Sequence, residues 1–289
     1  MQTRPELPSL FLSHGSPMLA IEDSPAARFL DRLGPVLEAT FGRPEAIVMV
    51  SPHTATRVPM VSSAVRYGAI HDFGGFPAEL YRQRYDAPGS PVRSAEVLAL
   101  LQAAGIPATL EAAEGVDHGI WTPLKRLWPG AEVPLVPLSL VPFASPAQQW
   151  AIGEALAPLR ARGVLVIGSG SFTHNLQRYF TTVRAAGRVT DHGADVLPDV
   201  SAFQQWVADR VAARDWPALW DYRRQAPGAV AHHPTDEHWL PFYVAAGAGG
   251  HEVAGRRLHD SVDGGVLAMD AYAFGATAAD LARALQSPS

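Results

Sequence analysis

The chain contains no cysteine. That excludes disulfides, thiolate nucleophiles, iron–sulfur clusters and every zinc site built on sulfur. A transition metal here must be held by imidazole and carboxylate. There is also no basic block: 23 Lys and Arg stand against 28 Asp and Glu, a net charge of −5, which speaks against nucleic acid as a partner. Nor is there a long apolar run. The most apolar stretch, Val133 to Ala144, is broken by Pro134, Pro137, Ser139 and Pro142 and is too short to span a bilayer. The first residues lack the basic region, apolar run and cleavage site of a signal peptide, so a cytoplasmic location is expected.

What is present is an ordinary globular composition, 47% apolar and 18% charged over 289 residues, long enough for a large core. The 25 glycines and 25 prolines are scattered and imply many short turns. Strand-like runs alternate with helix-like ones. The strand candidates are Ser9 to Ser13, Ala46 to Ser51, Met60 to Val65, Val133 to Leu140, Val164 to Gly168 and Val266 to Tyr272. Ile47 to Val50 and Val164 to Ile167 are continuously apolar, as in strands covered on both faces. Ser24-Pro25, Ser90-Pro91 and Ser145-Pro146 each read as a serine N-cap followed by proline, opening helices over about 25–40, 91–104 and 146–161. Further helices are expected over 117–128, shortened or kinked by Pro123, and over 201–213 and 236–247. The sequence shows no repeat and no linker. The expected fold is one α/β domain over 1–289, with a central, mostly parallel or mixed sheet flanked by helices.

The 11 histidines are distributed in a pattern. His14 ends the run Leu10-Phe11-Leu12-Ser13 and precedes Gly15; His53 ends Val48-Met49-Val50-Ser51-Pro52. His174 follows Val166-Ile167 and a Gly/Ser turn, and His238 stands near an expected helix start. Ligands of open α/β sheets bind outside the carboxyl ends of the strands. Three imidazoles at three such ends are how a cysteine-free protein would build a metal site. Any one of them alone reads more readily as a hydrogen-bonded loop residue; three at separate strand ends are harder to dismiss.

His118, in Val116-Asp117-His118-Gly119, reads as a helix-start residue capped by Asp117 or as a general acid/base. The stretch His71-Asp72-Phe73-Gly74-Gly75-Phe76-Pro77 reads as a substrate lid or as a turn packed by two phenylalanines. His232 and His233 are adjacent, so at most one faces a shared site; Glu237 and His238, neighbours on a helix, diverge as well. His192, His251 and His259 have no supporting context and read as surface residues. Gly168-Ser169-Gly170-Ser171 has neither the lysine of a phosphate loop nor the order of a hydrolase elbow.

Six segments, in order, resemble one family. They are Phe11 to Met18, Val50 to His53, His71 to Pro77, Asp117 to Trp121, Gly168 to Leu176 and Glu237 to Pro241. Together they are similar to the DOPA dioxygenase-type enzymes of the class III, LigB-like extradiol ring-cleavage superfamily, over nearly the whole chain. The resemblance implies one divalent metal, Fe(II) or Zn(II), with His14, His53 and His238 as ligands. It makes His174 either a further ligand or the catalytic base, and places His118 at the substrate. His233 and His71 are implied less directly as substrate contacts.

The implied reaction opens a catechol ring with O2 as co-substrate and yields a muconic semialdehyde type product. Two other readings of the same residues stay open. One is a zinc hydrolase with Glu237 as base. The other is a non-catalytic relative that keeps the pocket for binding. The partner expected is a small aromatic molecule, with no nucleic acid and no membrane; oligomeric state is left open.

Overall fold

The computed structural model describes residues 5–185, 187 and 192–287. Its main sheet is built from Ser9–Ser13 (β1), Ala46–Ala55 (β2), Met60–Ser62 (β3), Thr109–Glu111 (β4), Leu135–Leu140 (β5), Val164–Gly170 (β6), Arg256–His259 (β7) and Ala271–Phe274 (β8). The order across the sheet is β7-β8-β1-β6-β2-β5-β3-β4. The central strands β1, β6, β2 and β5 run parallel. β8 is antiparallel to both β1 and β7, and β3 is antiparallel to β5. The sheet is therefore mixed.

The continuously apolar strands feed two cores at once, because successive side chains on a strand point to opposite faces. Leu10, Leu12, Ile47, Met49, Leu165 and Ile167 enter one core. Their neighbours Phe11, Val48, Val50, Val164 and Val166 enter the other. The helices are Pro25–Phe41 (α1), Pro91–Ala103 (α2), His118–Leu127 (α3), Pro146–Leu156 (α4), Leu176–Ala185 (α5), Pro198–Ala213 (α6), Pro241–Gly249 (α7) and Ala278–Gln286 (α8). Leu30 and Leu33 of α1, Leu124 of α3 and Leu281 of α8 cover the first face. Val97 of α2, Ile152 of α4, Phe203 of α6 and Val244 of α7 cover the second.

The three serine caps form as the sequence indicates: Ser24, Ser90 and Ser145 each accept from the first turn, with proline following. Other expectations shift. β2 runs on to Ala55, so His53 stands within the strand. The helix expected from 236 begins only at Pro241. The cause is that the His238 carbonyl accepts from the Ser171 N–H, and the Phe242 N–H goes to Trp239 instead. The strand expected over Val266 to Tyr272 is split, because the Met269 N–H turns aside to the Ser261 carbonyl. Strand β4 is exposed throughout and helix α5 buries only Val183; neither is among the elements expected from the sequence.

A carboxyl group lies inside the second core. Asp270 has no exposed surface, and its Oδ2 accepts from the Gln204 amide at 2.6 Å. Burial pushes it up from 3.8 to about 7. The folded state therefore holds a proton that the unfolded chain releases between those values. This contribution to stability is complete below pH 3.8 and is lost as pH rises to about 7. Asp270→Asn removes the dependence. The variant is expected to gain roughly 3 kcal/mol on the wild type between pH 5 and pH 8. Urea unfolding of both proteins at the two pH values measures it; a constant difference would contradict the buried-proton assignment.

Candidate active site

The three central parallel strands β1, β6 and β2 end side by side, and their carboxyl ends carry the histidines. His14 follows β1 directly, and its N–H is bonded to the Gly170 carbonyl at 2.9 Å. His53 stands near the end of β2. His238 comes from the turn before α7, clamped by the Ser171 N–H to its carbonyl at 2.8 Å. That approach needs glycine at the end of β6: a Cβ on Gly170 would sit 2.2 Å from the His238 carbonyl oxygen, and one on Gly168 2.0 Å from that of Pro241.

The result is a convergence of three ring nitrogens. The Nε2 of His53 is 3.2 Å from Nε2 of His14 and 3.3 Å from Nε2 of His238. Their tautomers follow from the partners of the opposite nitrogens. Ser169 donates its one proton to the Gly119 carbonyl, so its oxygen accepts from His14 Nδ1–H at 2.9 Å. Pro123 lies behind this: with no N–H, it leaves the Gly119 carbonyl, four residues back in α3, without its helical partner. Glu237 is acceptor-only, so His238 Nδ1–H donates to it at 3.2 Å. Both flanking Nε2 atoms therefore present lone pairs to the same point.

Lone pairs facing one another at this distance call for a cation between them. Tetrahedral imidazole ligands about 2.0–2.1 Å from a metal stand roughly 3.3 Å apart, which matches the separations found. Protons do not fill the role. Burial holds His14 and His238 below the ordinary imidazole value, and pushes His53 down to about 3. Burial thus disfavours the protonated form of each ring, and the neutral form is the one that binds metal. The donor set of His14, His53 and His238 thus fits one divalent cation.

His174 is placed against this set rather than within it. Its ring stacks on that of His238 at 3.5 Å between centroids, and it groups with Glu237 and His238. Burial pushes it down to about 2. Its N–H is bonded to the His232 carbonyl, which fixes the start of α5. His118, at the first residue of α3, lies with its ring 3.9 Å from that of His53 and 5.5 Å from that of His14.

Two expected substrate contacts are not brought to the cluster. His233 is fully buried; its Nε2–H donates to the Phe172 carbonyl at 2.9 Å, and its ring packs on Trp239 and Phe203. It has no open surface to offer a substrate, and its place is in the core beneath His238. His71 donates from Nε2 to the Gln83 carbonyl at 3.1 Å and packs on Trp121, facing a cavity of about 590 Å³ outside the histidine cluster.

The expected cap at Asp117 is also corrected. Asp117 makes no cap hydrogen bond; its carboxylate accepts from Ser51 and Thr54, both at 2.6 Å, on either side of His53. The cap comes from Asp72, a residue the sequence did not single out. Nor is His192 a bare surface residue: its Nδ1 bonds Asp263 at 2.8 Å and its Nε2 lies 3.7 Å from Glu22. Glu237 is engaged by both neighbours: its Oε1 accepts from Thr235 at 2.9 Å and from His238 Nδ1–H at 3.2 Å. A carboxylate so committed is a poor general base for a hydrolase.

Fold and site define a protein with histidine and carboxylate clusters able to hold a divalent metal at the strand ends of an α/β sheet. Comparison narrows this. The family described as the catalytic LigB subunit of aromatic ring-opening dioxygenase matches residues 8–268, and the chain belongs to it. The chain is 35% identical over 272 residues to the "4,5-DOPA dioxygenase extradiol" of Beta vulgaris, covering 93% of this chain and 97% of that one. It is 37% identical over 246 residues to the protein so named in Escherichia coli (strain K12), covering 84% and 85%. A crystal structure of the uncharacterized protein JW3007 from Escherichia coli K12 superposes with a TM-score of 0.73 at 30% identity, covering 93% of this chain and all of that one. The protein is a metal-dependent extradiol ring-cleavage dioxygenase acting on catechol-type substrates. Among the described residues, no helix is long and apolar enough to cross a membrane.

Proposed function

We propose that this protein opens a DOPA-like catechol with O2, giving a muconic semialdehyde type product, at Fe(II) held by His14, His53 and His238. The convergence of their three Nε2 atoms carries the reading. Iron is favoured over zinc because the reaction reduces O2, and zinc has no redox chemistry. When bound by these three histidines, the metal would supply Lewis acidity for deprotonating the catechol and electron density for O2 reduction.

The remaining roles belong to side chains. His174, stacked on His238, is the ring this reading assigns to take the proton of a catechol hydroxyl and return it as the ring opens. His118 stands on the other side of the cluster, beside His53, where it lines the substrate and steadies the second oxygen. The catechol ring would lie between them, with Phe73 against His118 as an apolar wall. The cytoplasm is the compartment assigned in this reading.

The test is metal replacement. Protein stripped of metal and loaded anaerobically with Fe(II) is expected to turn over at least one of L-DOPA, dopamine, caffeate and protocatechuate on admission of air. The Zn(II)-loaded protein is expected to be inactive in the same assay. Turnover that depends on zinc and needs no oxygen would replace this reading with the hydrolase.

A further inference from the structure

One carboxylate joins the loop from Ile70 to Pro77 to two of the clustered histidines. Oδ1 of Asp72 accepts from the backbone N–H of His118 at 3.0 Å and from the ring Nδ1–H of the same residue at 3.0 Å. Its Oδ2 lies 3.9 Å from Nδ1 of His53. The residue is thus an N-cap supplied from a distant loop. The local candidate, Asp117, is drawn off to Ser51 and Thr54. The loop on which Asp72 stands is fixed at three consecutive residues. The Ile70 carbonyl accepts from the Trp121 indole at 2.9 Å, His71 donates to Gln83, and Asp72 holds His118.

The consequence is geometric. An imidazole whose Nδ1–H is given to a carboxylate keeps Nε2 as a bare acceptor and cannot turn about χ2 without losing that bond. We infer that Asp72 is a positioning residue for the ring-opening reaction: it fixes the tautomer and orientation of His118 and ties that ring to the loop from Ile70 to Pro77. This rests on the functional reading above, in which His118 faces the catechol. Asp72 touches neither substrate nor metal in that reading and acts through His118.

The experiment compares Asp72→Ala and Asp72→Asn with the wild type, all Fe(II)-loaded, using the best catechol of the panel. Asparagine keeps an acceptor for both N–H groups; alanine keeps none. Asp72→Ala is expected to lower kcat by about 100-fold while KM changes less than about threefold. Asp72→Asn is expected to recover at least about tenfold of the loss. A second readout is independent of turnover. Long-range proton–nitrogen NMR of the Zn(II)-loaded proteins is expected to show His118 with Nε2 unprotonated in the wild type and in Asp72→Asn, and as mixed tautomers in Asp72→Ala. Unchanged kcat or an unchanged His118 tautomer in Asp72→Ala would overturn the inference, as would an asparagine variant no better than alanine. An inactive wild type with the expected tautomers would instead count against the functional reading and leave the NMR result to decide the role of Asp72.

Discussion

His14→Ala is expected to lose the metal, whereas His174→Ala is expected to keep it and lose turnover. The difference follows from what each ring faces. His14 is 1% exposed, its Nδ1–H is committed to Ser169, and its Nε2 is one of three lone pairs at the convergence. Removing it leaves only two of the three converging imidazoles. His174 is grouped with Glu237 and His238, not with His14 and His53. Its face lies on the face of His238, so its loss leaves the three converging nitrogens in place. Positioned acid/base groups are worth about 10²- to 10⁴-fold in rate, and kcat is expected to fall within that range. Metal analysis of the purified variants, with kcat on the same samples, measures both effects. If His174→Ala loses metal as fully as His14→Ala, His174 is a ligand and the base must be sought elsewhere, His118 first.

Gly170→Ala is expected to damage both the fold and the metal site. The added carbon would stand 2.2 Å from the His238 carbonyl oxygen and 3.2 Å from Cε2 of Phe11. The first neighbour is backbone and is held by the Ser171 N–H, so it cannot rotate away. The turn carrying His238 must lift off β6, and the ring must leave the convergence. Overpacking of this kind costs about 3 kcal/mol or more, and displacement of a ligand's support lowers metal affinity by roughly 10- to 100-fold. Gly74→Ala is the control: a Cβ there meets nothing within 4 Å. Thermal unfolding and metal titration of both variants check the expectation. A Gly170→Ala protein with wild-type stability and affinity would show that the turn before α7 is free to move.

Much of the site could be read in the sequence for a simple reason. His14, His53 and His174 follow continuous apolar runs, and the physics of a two-sided sheet puts the ends of such runs together. His238 belongs to no strand and was reachable only through the resemblance. What escaped were groups whose role depends on contacts far apart in the chain. Asp72 meets His118 across 46 residues, and Ser169 meets His14 across 155. Asp117 looked like the local cap because sequence shows only neighbours; its carboxylate turned to β2, 66 residues away. Pro123 was legible as a helix irregularity, but not as the reason Gly119 has a carbonyl to give Ser169. His233 looked like its neighbours and proved to be a core residue, since burial at a single position is not encoded in local pattern.

The most direct measurement follows oxygen and product together. The Fe(II)-loaded protein is mixed with a limiting amount of L-DOPA, or of the best substrate of the panel, in a closed oxygen electrode. The expected result is one O2 consumed per catechol and a yellow product whose mass is that of the catechol plus dioxygen. Product formed without oxygen consumption, or a catechol left intact by a protein with its iron bound, would contradict ring opening at the His14, His53 and His238 centre.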